Sequence, residues 1–78
     1  MLIRTQSGAA LAEIVHAYMS EMMGETDYYI FGICAGHGVF SGGKITLGIY
    51  KSKDKAKTEL DAMTDFFEKN PNGVYRMR

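Results

Sequence analysis

The chain has 78 residues, 46% of them hydrophobic, with nine basic and nine acidic side chains and a formal net charge of zero. This length holds one domain, residues 1–78, and buries only about 60–65% of its unfolded surface, so its own core is marginal. The apolar content excludes a disordered chain, and the balanced charge excludes the global basic field of general nucleic-acid binders.

"LIRT" (Leu2–Thr5) reads as a short first strand, followed by a turn signal at Ser7–Gly8. Residues 9–24 are ambiguous. Leu11, Ile14, Tyr18 and Met22 fall at helical spacing, while "IVHAYMSE" within the same segment has strand character. "YYIFGICA" (Tyr28–Ala35) and "KITLGIYK" (Lys44–Lys51) are aromatic and β-branched, so both read as strands of one hairpin. "SKDKAKTELDAMTDFFEKNP" reads as a helix. Ser52 is its N-cap, and Ala56, Leu60, Met63 and Phe67 form one apolar stripe. Pro71 stops it. Glu59, Asp61, Asp65 and Glu68 are expected on its solvent faces. "VYRMR" (Val74–Arg78) alternates and reads as a final strand.

A single cysteine, Cys34, leaves no internal disulfide, and no Cys/His cluster has structural-zinc spacing, so no metal site is expected. Association of copies is the remaining common staple for so short a chain, and a homo-oligomer is expected. The start of the chain lacks the pattern of a signal peptide, and no run is long enough to span a bilayer. These features point to a reducing cytoplasm.

The tip "GHGVFSGGK" (Gly36–Lys44) contains G-x-x-x-x-G-K spacing, but a phosphate loop must open into a helix. Here a strand follows, and Ile45 stands where a hydroxyl is needed for magnesium. The tip therefore reads as a hairpin turn. Phe40 and Val39 at its centre suggest closure over a ligand or contact with another subunit. Cys34 and His37, three apart in a strand, point to opposite faces, which argues against a catalytic pair. No catalytic constellation and no cofactor are read from the chain.

"MLIRTQSG", "IVHAYMSE", "YYIFGI", "LGIYKSKDKAKTEL" and "VYRM" occur here in an order that resembles a set of small uncharacterised proteins of Gram-positive bacteria and their phages. Leu47, Gly48, Tyr50, Ser52, Ala56 and Leu60 match their L-G-x-Y-x-S strand and helix signature. The resemblance implies an antiparallel sheet with one helix near the C-terminus, and a strand around Ile14–Ser20. It carries no catalytic residues.

The fold expected is thus α+β: an antiparallel sheet of four to five short strands, with one amphipathic helix of the C-terminal half packed on one face. Lys51, Lys53, Lys55 and Lys57 crowd the start of that helix, against the preference of the macrodipole. Positive charge around free backbone N–H groups is how an anion site looks. Arg4, Arg76 and Arg78 add directed charge, and Lys44 adds a further cation. Tyr28, Tyr29, Tyr50 and Tyr75 are available to stack on a base, and Phe40 at the tip would close over it. Eight of these residues — Arg4, Phe40, Lys44, Tyr50, Lys51, Lys53, Arg76 and Arg78 — form the expected ligand site. The function expected is a non-enzymatic oligomeric module that binds a small anionic ligand such as a cyclic or linear nucleotide, with no membrane partner and nucleic acid disfavoured. In the phage setting that the resemblance implies, it would sequester a bacterial immune signal. The alternative is a small inhibitor or regulator that docks on a host protein.

Overall fold

The structure is a computed structural model that describes residues 1–21, 26–35 and 43–78. The elements run β1 (Leu2–Arg4), β2 (Leu11–Glu21), β3 (Tyr28–Cys34), β4 (Lys44–Tyr50), α1 (Lys53–Lys69) and β5 (Val74–Arg76). The sheet order is β4-β3-β2-β1-β5, and α1 packs on one face against β2, β3, β4 and β5. This is the α+β arrangement the sequence predicts. One pairing departs from a wholly antiparallel sheet: β5 lies parallel to β1, with Leu2 beside Val74 and Arg4 beside Arg76. A hairpin would force antiparallel pairing on neighbours. The α1 crossover between β4 and β5 removes that constraint.

Within residues 9–24, Leu11–Glu21 form a strand, and Met22 lies outside the described residues. The absence of strict strand alternation has a physical origin. Ile14 pairs with Cys34 and His16 with Ile33, so Val15 is an extra residue bulged out of the ladder. A bulge shifts side-chain parity by one. Ala12 and Ile14 face the core before it, and Ala17 and Met19 face the core after it. The inward positions are thus spaced by two, three and two, which is neither a strict strand nor a helix period. Leu11 and Tyr18, which carried part of the helical pattern, in fact lie on the outer face. A second bulge, at Leu47, separates the pairs Ile30–Gly48 and Phe31–Thr46 and turns Leu47 fully into the core.

The bulges let the sheet curl, and the turn after β1 reaches β4. Gln6 N–H donates to Leu47 O (2.8 Å). Its side-chain amide accepts from Ile49 N–H (2.9 Å) and donates to Ile49 O (3.3 Å) and Arg78 O (3.2 Å). Gln6 thus does for part of the outer edge of β4 what a neighbouring strand would do.

The core lies between sheet and helix. Ile3, Ile14, Ile30 and Leu47 are wholly inaccessible, joined by Ala56, Met63, Tyr75 and Met77. Gly32 makes this layer possible. A Cβ there would stand 2.9 Å from Ile14 Cδ1 and 3.0 Å from Leu47 Cδ1, so a larger residue would make these two core side chains shift. Ser52 caps α1 by accepting from Lys55 N–H (3.1 Å), as its sequence predicts. One expectation for the helix is corrected. Glu59 is buried, not solvated, because its carboxylate accepts from Tyr75 Oη (2.8 Å) and Arg78 N–H (2.9 Å).

Candidate functional site

The residues expected to form one anion site lie on β1, at the two ends of β4, at the start of α1 and on and just past β5. Arg4 and Arg76 are side by side through the parallel β1–β5 register, and Arg76 is exposed. Arg4 is half-buried. Its Nη1 donates to Gly8 O (3.2 Å), and its Nε is buried without a partner. Arg78 follows Tyr75 rather than Arg76. It lies past the end of β5, with Nε 3.6 Å from Glu59 Oε1 and Nη2 3.4 Å from Tyr75 Oη. Lys51 is paired with Asp27 (3.1 Å), and Lys53 opens α1 with an exposed side chain. Phe40, Val39 and His37 lie outside the described residues.

Tyr50 is placed in the core, against the expectation that it faces a ligand. The bulge at Leu47 sets the parity that turns it inward. Its ring lies so close over Gly48 that a Cβ there would meet Tyr50 Oη at 2.7 Å. The hydroxyl is buried and unpaired. Burial, with the neighbouring Glu59 carboxylate, pushes its pKa far above the ordinary tyrosine value. Tyr75 is raised in the same direction, by burial and its hydrogen bond to Glu59.

Lys44 stands apart from the helix start. It lies seven positions before Lys51 along the chain, roughly 23 Å of extended strand. It does not join the other lysines in one small site on the chain. Instead its Nζ sits 4.5 Å from the centroid of the Phe31 ring, a cation–π contact on the outer face of the sheet. Phe31 is the middle of an aromatic row. Tyr29 stacks parallel to it at 5.6 Å, with an interplanar angle of 1°. Tyr18, its direct cross-strand partner, lies at 5.8 Å, and His16 stacks on Tyr18 at 5.6 Å. Phe31 is buried within the row while Tyr18 and Tyr29 are half-buried, so the row is a shallow ledge with ring surface open to solvent.

Half of this row was readable from the sequence. Tyr29 and Phe31 are two apart in a strand and must share a face. Tyr18 and His16 join them only through the β2–β3 register and the Val15 bulge, which no local pattern announces. On the inner face, Cys34 is half-buried against the core. Among the described residues no three His, Cys, Asp or Glu side chains cluster as metal ligands, and no helix is long and apolar enough to cross a membrane.

On the opposite side of the sheet, a cleft of about 410 Å³ opens between α1 and β2. Ala17, Leu60, Met63 and Phe67 give it apolar walls, with Met1, Thr64 and Glu68 at its margin.

No family model matches the chain, and no curated protein or solved structure matches it either.

Proposed function

We propose that the protein is a non-enzymatic binding module, working as a homo-oligomer, that holds a small anionic, nucleotide-derived ligand on the outer face of its sheet. The observation that carries this reading is the Tyr29–Phe31–Tyr18 row with the Lys44 ammonium over its central ring. A planar base stacks on aromatic faces with little dependence on its identity, for about 1–3 kcal/mol per base. An ammonium beside the row supplies the charge for a phosphate. Binding and release need no nucleophile, acid or base. The resemblance to small phage proteins suggests a use for such a module: removing a signalling nucleotide from the host cytoplasm.

A second reading, docking on another protein, is favoured by the apolar side chains that share the outer surface. Val15 is 63% exposed, Leu11 50% and Ile49 45%.

Calorimetry against a panel of cyclic and linear nucleotides separates the two. A nucleotide that binds should bind more weakly as salt is raised, because an exposed lysine–phosphate contact is screened beyond about 8–10 Å at ordinary ionic strength. Tyr29→Ala and Lys44→Ala should each weaken it. If no nucleotide binds at millimolar concentration, or if both variants bind as the parent does, the reading fails.

A further inference from the structure

The longest open strand edge among the described residues belongs to β2. β1 pairs only with Leu11–Glu13, and the Met1–Ile14 backbone bonds end that ladder. Seven residues, Val15–Glu21, continue past it with β3 on one side and no described strand on the other. Their backbone directions follow from the neighbouring bonds. Cys34 N–H donates to Gly43 O, so Ile33, Phe31 and Tyr29 turn their backbone groups to β2. Their partners there are His16, Tyr18 and Ser20. Ala17, Met19 and Glu21 therefore aim N–H and C=O out of the free edge. The same chain closes the outer edge of β4 with Gln6 and leaves β5 only three residues long. An edge without proline, or without a charge between its ends, is a template for another strand.

We propose that this edge pairs with the same edge of a second copy, antiparallel, about a two-fold axis at Tyr18. Three observations fix the occupant. First, the seven free residues have Tyr18 as their midpoint, so a two-fold there uses all of them. Glu21 of one copy lies opposite Val15 of the other, and the new ladder stops where Met1 begins. Second, the parity is right: in this register the outward-bonding residues Ala17 and Met19 face each other across the axis. Third, the cleft is complementary. Ala17 is the small residue beside the apolar cleft lined by Leu60, Met63 and Phe67. The register sets a Met19 from the second copy next to it, long enough to enter that cleft. No acid or base lies between His16 and Ser20, and the zero net charge gives two copies no overall repulsion.

The pairing stands independently of the ligand reading. Its test is site-specific cross-linking of the folded chain. Tyr18 would face its own copy at a non-hydrogen-bonded antiparallel position, where Cα atoms lie about 4.5 Å apart, within disulfide range. Tyr18→Cys in a Cys34→Ser background should give a disulfide-linked dimer under mild oxidation. Tyr29→Cys in the same background, one strand away, should not. Light scattering of the parent should show a mass above one chain. Ala17→Lys, which places a charge at the paired edge, should weaken the dimer about tenfold or more with an unchanged circular dichroism spectrum. A one-chain mass at every concentration overturns the proposal. So does a dimer that Tyr18→Cys fails to lock, or one that Ala17→Lys leaves intact. If Ala17→Lys does not fold, the Tyr18→Cys result decides alone.

Discussion

Tyr50 shows how a single side chain can be placed against its apparent purpose. Its hydroxyl sits buried beside Glu59, Tyr75 and Arg78, yet bonds to none of them. An unpaired buried hydroxyl costs roughly 1–3 kcal/mol, so Tyr50→Phe should leave stability unchanged or raise it by about 1 kcal/mol in urea denaturation. Tyr75→Phe should do the reverse and cost about 1–3 kcal/mol, because it strips a partner from the buried Glu59 carboxylate. The two tyrosines also set an alkaline limit. Both pKa values are raised in the folded chain. The folded state then holds its phenolic protons where the unfolded state has begun to lose them. Stability is full below the unfolded tyrosine value near 10 and falls as pH climbs above it. Tyr50→Phe should flatten that fall, as followed by unfolding midpoints across the alkaline range. A fall of equal slope in the variant would show that Tyr50 is not the group responsible. Little of this was legible beforehand. The alternation in "KITLGIY" gives two faces, but only the Leu47 bulge decides which one Tyr50 joins.

At the scale of elements, the sequence was most informative where one local rule acts alone. The α1 boundaries follow from the Ser52 cap and from Pro71, and Ser52→Ala should cost about 1 kcal/mol in thermal or urea unfolding. The same local reading missed Glu59, because its partners come from the far end of the chain. β2 was least legible for a related reason. Its inward set runs through Ala12, Ile14, Ala17 and Met19, and the step across the bulge belongs to neither period. Deleting Val15 tests this. Without the bulge, His16–Glu21 would keep their pairing with β3 only by breaking with β1, or would turn Ala17 and Met19 outward. The deletion should abolish cooperative unfolding and shift most backbone amide resonances. A variant with a native-like spectrum would mean that the bulge is incidental. Lys44 is parted from the lysines of the helix start at this scale too. Lys44 and Lys53 lie at opposite ends of a seven-residue strand and a turn, a distance that sequence adjacency conceals.

Across the molecule, one helix covers one face of the sheet, and among the described residues nothing covers the other face or the β2 edge. The two proposals use those two surfaces, and they meet at Tyr18. It lies between Phe31, 5.8 Å away, and His16, 5.6 Å away, and it is the residue on the proposed two-fold. Pairing at that edge would set two rows end to end: Tyr29, Phe31 and Tyr18, then the same rings in reverse order. A ligand with two bases, or one base and an extended phosphate, would touch both copies. Binding and association are then linked, and linkage is reciprocal: the factor by which ligand tightens the dimer equals the factor by which the dimer tightens the ligand. The measurement is sedimentation of the parent with and without a bound nucleotide, set beside calorimetry above and below the dimer midpoint. The two factors should agree. Ala17→Lys should lose the coupling while keeping weak binding to a single row. Tyr29→Ala should lose binding while keeping the dimer. If ligand affinity stays constant through the monomer–dimer transition, each copy binds alone, and the shared row is only a neighbour of the site.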